Sequence, residues 1–122
     1  MKLNLFKRKE AIDNESVDKL RVIVDASRLS AANVEDLKQL YMSRFQGQSR
    51  MVLVFSQLTF VDSSGLGFLV ALRNSMQAPK LLVLEGITDK TLIDLFALTR
   101  MDQIFILSSS FEKTQELLSQ HA

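Results

Sequence analysis

The sequence predicts an α/β protein: one domain with a mixed, mostly parallel sheet of roughly four or five strands and about four helices. Three observations carry this. Short apolar runs recur at residues 20–25, 51–55, 81–84 and 104–107, as expected of strands buried in a parallel sheet. Between them, apolar residues fall at helical spacing. The chain has 122 residues, 47% hydrophobic and 24% charged, which suits one domain with one core.

The elements follow in order. Residues 20–25 (Leu-Arg-Val-Ile-Val-Asp) are β-branched and mostly apolar, and read as a strand. Val34, Leu37, Leu40, Tyr41 and Phe45 then mark a helix over 31–46, with Ser30 as its N-cap and Gly47 at its end. Met51 to Phe55 is a continuous apolar run, hence a buried strand. After 57–61 a second helix covers 64–76, with Pro79 in the loop beyond. Residues 81–84 form the next strand, 89–99 a third helix with Leu92, Leu95 and Phe96 on one face, and 104–107 a short strand. Ser109 or Ser110 caps a last helix that carries Leu117 and Leu118. At the start, residues 3–6 or 11–12 supply an edge strand and 13–19 a loop, so 1–122 is one domain with 1–19 as its edge strand and loop. Repeated strand–helix–strand units imply right-handed crossovers.

Composition excludes several classes. The formal net charge is +1 and no basic stripe is interleaved with aromatics, so direct binding to nucleic acid is not expected. The basic run Lys7-Arg8-Lys9 reads as a solvated terminus. Without cysteine there are no disulfides or thiolate metal sites. No segment has the apolar core of a signal peptide, and the longest apolar run, 66–72, is far too short to span a bilayer. No membrane insertion and a cytoplasmic location are therefore expected. The single histidine, His121, adjoins the C-terminus, a poor place for metal or acid–base work.

One segment stands apart: Phe60-Val61-Asp62-Ser63-Ser64-Gly65-Leu66-Gly67. It lies where a strand hands over to a helix, and puts two hydroxyls and a carboxylate at the helix start. Helix starts carry unpaired N–H groups and partial positive charge, which suit an anion. As a nucleophile Ser63 would need a base, and the hydrolase pattern Gly-x-Ser-x-Gly is absent. Gly65-Leu66-Gly67 would need a third glycine where Val70 stands, so it is not a dinucleotide turn, and no phosphate-binding Gly-Lys-Ser/Thr occurs. No enzyme activity and no cofactor are expected of this chain.

Two readings of the segment remain. In the first, another protein phosphorylates Ser63, adding roughly −1.5 to −2 charges that meet the helix-start donors while the outer surface becomes anionic. Asp62 adds to that negative charge, and Gly65 and Gly67 leave the first turn bare for a kinase to approach. In the second, Asp62 or Ser63 only caps the helix and the glycines allow tight packing on the sheet.

The run from Leu58 to Gly67 closely resembles the signature of the STAS domain family, in its bacterial anti-sigma factor antagonist form. The similarity spans about 20–118. Leu95-Phe96-Ala97-Leu98-Thr99 resembles the family's third helix, and Phe111-Glu112 and Glu116-Leu117-Leu118 its closing helix. The resemblance implies reversible phosphorylation of Ser63 by a serine kinase that doubles as the anti-sigma factor, with Ser64 as the neighbouring hydroxyl. It also implies a metal-dependent serine phosphatase that restores the unmodified, partner-binding form. ATP and magnesium would belong to the kinase. The partner surface is expected to combine Asp62, Ser63, Ser64, Gly65, Leu66 and Gly67 with Phe68 and Leu72. Phe68 and Leu72 lie on a different helix stripe from Leu66, Leu69, Val70 and Arg73, and one stripe must face the sheet.

The chain departs from the family pattern in places. Where relatives carry Gly-x-Leu-Asp, it has Ser27-Arg28-Leu29-Ser30; where they carry Thr-Gly-Leu, it has Thr99-Arg100-Met101. The same domain type serves as a subunit of membrane lipid or anion transporters, with Ser63 then a cap, or as a switch for a non-sigma output such as biofilm formation. These stand as the alternative functions.

Overall fold

A computed structural model describes residues 21–121. In chain order the elements are β1 (Arg21–Val24), β2 (Arg28–Leu29), α1 (Val34–Phe45), β3 (Arg50–Phe55), β4 (Phe60–Val61), α2 (Ser63–Asn74), β5 (Leu81–Glu85), α3 (Lys90–Leu98), a 3-10 turn (Met101–Gln103), β6 (Ile106–Ser108) and α4 (Phe111–Ser119). The main sheet has the order β1-β3-β5-β6, and every pairing in it is parallel. A second, two-stranded parallel sheet joins β2 to β4. The α/β class expected from the sequence is the one observed.

Strand order determines where the helices go. From β1 to β6 the chain always steps in the same direction across the sheet, so right-handed crossovers put α1, α2 and α3 on one face. The main core lies there. Val22, Val24, Met51, Leu53, Phe55, Leu82 and Leu84 from the strands pack with Leu37, Phe45, Phe68, Leu69, Leu72, Leu92 and Phe96 from the helices. On the opposite face, alternate strand residues Val52 and Val83 meet Leu118 of α4. Ile23 alternates with buried Val22 and Val24 on β1 and is 66% exposed.

Boundaries differ from the sequence expectation where local hydrogen bonds intervene. α1 starts at Val34 rather than Ala31, because a turn precedes it: the amides of Asn33 and Val34 both donate to the Ser30 carbonyl at 3.0 Å. Ser30 therefore shapes that turn, and Asn33 takes the N-cap position. Leu40, placed on the apolar stripe by spacing, is 62% exposed. α2 runs from Ser63 to Asn74, one residue earlier at its start than expected. β6 begins at Ile106, since Ile104 and Phe105 still bond back to Met101. Of the two candidate caps for α4, Ser110 is the one whose hydroxyl accepts the Lys113 amide, at 3.1 Å. The strands β2 and β4 went unforeseen, because two residues are too few to show alternation. The edge strand expected at 3–6 or 11–12 and the loop at 13–19 lie outside the described residues.

Candidate functional site

The Asp62–Gly67 segment is set by the small β2–β4 sheet. Arg28 pairs with Phe60 and Leu29 with Val61, and the Asp62 amide continues the pattern by donating to the Leu29 carbonyl at 3.1 Å. Leu29 and Val61 point into the core, so the chain is anchored as it reaches the helix. Asp62 is extended (φ −103°, ψ −171°) and caps α2. One carboxylate oxygen accepts the Gly65 amide at 2.9 Å, and the other accepts the Ala31 amide at 3.3 Å. The Gly65 amide is the main reason that the Asp62 carboxyl lies below its usual range. Burial pushes it up, and the amides of Ala31, Ser64 and Asp62 itself add to the lowering.

This arrangement revises the expectation that a phosphoryl group would find free donors at the helix start. The chain's own carboxylate already engages one of them, the Gly65 amide. Asp62 is the cap, and Ser63 is the first helical residue, exposed, with no side-chain hydrogen bond among the described residues. Ser64 beside it is half-buried.

The two glycines differ in role. A Cβ at Gly65 would stand 2.3 Å from the Leu29 carbonyl oxygen and 2.7 Å from the Leu29 Cβ, so α2 docks on β2 through a position that only hydrogen fits. Gly65 is buried, and its bareness serves packing rather than a kinase. Gly67 has nothing within 4 Å of such a Cβ and is exposed, so it does leave the first turn bare.

Phe68 and Leu72 were expected on the partner surface and are found in the core, each at 0% exposure. With Gly65 they face the sheet, and so does Leu69, which the spacing had placed on the other stripe with Leu66, Val70 and Arg73. The outward side of α2 near Ser63 is instead made by Ser64, Leu66, Gly67 and Val70, of which Leu66 and Val70 are half-buried. The helical period defines both stripes in the sequence, but both are apolar and pattern alone does not rank them.

Two residues beside the site were not singled out as contributors. The Arg28 guanidinium lies 4.3 Å from the centroid of the Phe60 ring, and both side chains are exposed. They are brought together by the β2–β4 register, a pairing that leaves no local signal in the sequence. Within the Ser27-Arg28-Leu29-Ser30 stretch, Ser27 offers its carbonyl to the Thr59 amide at 2.9 Å, and Ser30 adjoins Ala31 and hence Asp62. Among the described residues no helix is long and apolar enough to cross a membrane.

The family model described as "Mlab, STAS domain" matches residues 13–108, most of the chain. The chain belongs to the STAS domain family. The match ends on Ser108, the last residue of β6, so α4 lies beyond it. Comparison with curated proteins and with solved structures finds no match.

Proposed function

We propose that this protein is an anti-sigma factor antagonist: a cytoplasmic partner-switching regulator, not an enzyme, controlled by reversible phosphorylation at Ser63. The observation that carries the reading is the Ser63 hydroxyl, exposed and free of side-chain hydrogen bonds among the described residues, on the first turn of α2. Unmodified, the surface of Ser63, Ser64, Leu66, Gly67 and Val70 binds a serine kinase that doubles as the anti-sigma factor. In the modification the Ser63 oxygen forms a bond to the γ-phosphorus of ATP, ADP leaves, and the hydroxyl proton passes to a base of the kinase. The new dianion then opposes the partner by desolvation and charge. A metal-dependent serine phosphatase removes the group with water. Ser63 is read as an acceptor rather than a nucleophile because no base reaches its hydroxyl among the described residues, and His121, the only histidine, is at their end.

The test is incubation with ATP and any serine kinase found encoded beside this gene, followed by mass spectrometry. Phosphate is expected on Ser63 and nowhere else. Phosphate at another residue, or none from any such kinase, overturns the assignment.

A second reading is a permanent subunit of a membrane lipid or anion transporter. What favours it is Asp62, whose carboxylate caps α2 without any help from Ser63. A Ser63→Asp protein that binds its partner with unchanged affinity supports this reading against the switch. A neighbouring permease and ATPase gene pair would point the same way.

A further inference from the structure

We propose that Arg28 is the counter-charge for a phosphoryl group on Ser63, leaving the Phe60 ring to pair with it; the inference rests on the reading of Ser63 as a phosphorylation site. The need for such a group comes from Asp62. A phosphoryl group at Ser63 brings roughly −1.5 to −2 charges next to a carboxylate that already holds the amides of Gly65 and Ala31. The helix start thus already carries one anion, on the Gly65 amide, when the second arrives. Without a cation the two repel at close range.

Arg28 is placed to meet it. The parallel register sets Arg28 beside Phe60 and Leu29 beside Val61, and the Ala31–Asp62 bond of 3.3 Å shows that the two segments stay side by side beyond the strands. Arg28 and Phe60 face outward, opposite buried Leu29 and Val61, and Ser63 is exposed as well. Ser63 lies three residues past Phe60. Ser63 opens α2, so the three-residue step from Phe60 covers at most about 10 Å; with neighbouring strands about 4.8 Å apart, the Arg28 and Ser63 Cα atoms are on the order of 11 Å apart or less. A long arginine side chain and a phosphoserine bridge that gap between them.

The guanidinium is also uncommitted. Among the described residues it pairs with no carboxylate and donates no hydrogen bond; its one contact is the Phe60 ring. An exposed cation–ring contact is weak beside a two-pronged arginine–phosphate pair. Among the described residues, the nearby helix starts offer no free cation in its place. Glu35 and Asp36, in the first turn of α1, are acidic. Lys90, at the start of α3, is held by Asp94 at 2.8 Å. Modification would therefore change the surface twice: Ser63 gains a phosphate whose charge Arg28 only partly offsets, and Phe60, already 39% exposed, loses its cover.

The test needs no partner. The full chain is made with phosphoserine placed genetically at 63, alone and with Arg28→Gln or Arg28→Lys, and the phosphate is titrated by 31P NMR. With Arg28 present, the second ionisation constant of the phosphoserine is expected to be about threefold or more larger than in Arg28→Gln, as for an opposite charge nearby. Arg28→Lys should keep part of that difference. Identical titrations in all three proteins overturn the pairing. Because the phosphoserine is installed directly, this outcome is independent of whether a kinase modifies Ser63. Thermal melts of the three unphosphorylated proteins check that the fold is unchanged.

Discussion

The Arg21 guanidinium grips the Glu85 carboxylate with two parallel bonds, Nη1 to Oε1 at 2.8 Å and Nη2 to Oε2 at 3.0 Å, across the strand that separates β1 from β5. The Thr114 hydroxyl of α4 donates to the same carboxylate at 2.7 Å, and the Phe111 ring lies 4.7 Å from the guanidinium carbon. One ion pair thus ties β1, β5 and the last helix together. Burial alone pushes the Glu85 carboxyl up, but the bonds from Arg21 and Thr114 and the Arg21 charge outweigh it and hold the carboxyl below its ordinary range.

Breaking this pair from one side should be costly. Arg21→Ala leaves a carboxylate whose side chain is only 7% exposed and is expected to destabilise the fold by about 3 kcal/mol in urea unfolding. Thr114→Val removes one of three bonds and should cost about 1–2 kcal/mol. Because the folded-state pKa of Glu85 is lowered, its contribution is present above the unfolded pKa and is lost as pH falls through the folded value. The deficit of Arg21→Ala should therefore shrink in acid.

Gly65 and Gly67 should respond to alanine in opposite directions. Gly65→Ala drives a methyl into the Leu29 carbonyl and should cost about 2–3 kcal/mol. Gly67→Ala meets open space and should stabilise α2 by about 0.5–1 kcal/mol. Denaturant melts of the two variants check the contrast. Similar losses in both would refute the close approach of α2 to β2.

Asp62→Ala should lower the melting temperature at neutral pH, since two amide donors lose their acceptor. The Asp62 carboxyl has a lowered folded-state pKa, so its contribution is present above the unfolded pKa and disappears as pH falls through the folded value. The melting temperatures of wild type and variant should converge in acid. A difference that stays constant with pH would mean that the cap does not depend on the charge.

Arg100 follows the last turn of α3 with φ +62°, in the left-handed region. Glycine adopts this conformation freely, whereas an arginine tolerates it at a cost. Arg100→Gly should relieve that strain but enlarge the freedom of the unfolded chain, for a net gain of about 0.5 kcal/mol. A melt showing a loss of similar size would mean that the Arg100 side chain contributes contacts of its own.

The sequence by itself determined the class of fold and the place of the site. Runs such as Met51–Phe55 and the spacing of Leu92, Leu95 and Phe96 reflect period and burial, and both properties are local. So is the Asp62 cap, whose main partner, Gly65, is three residues away. Tertiary structure decided what depends on residues far apart. It buried Phe68, Leu69 and Leu72 fully and left Leu66 and Val70 half-buried at the core's margin, because the close approach of Gly65 to Leu29 fixes which side of α2 turns inward. It turned Gly65 into a contact with Leu29, and it brought Arg28 to Phe60 and Arg21 to Glu85. Each of these pairs is separated by about thirty residues or more, a distance over which pattern in one chain carries no pairing information. The strand register supplies it.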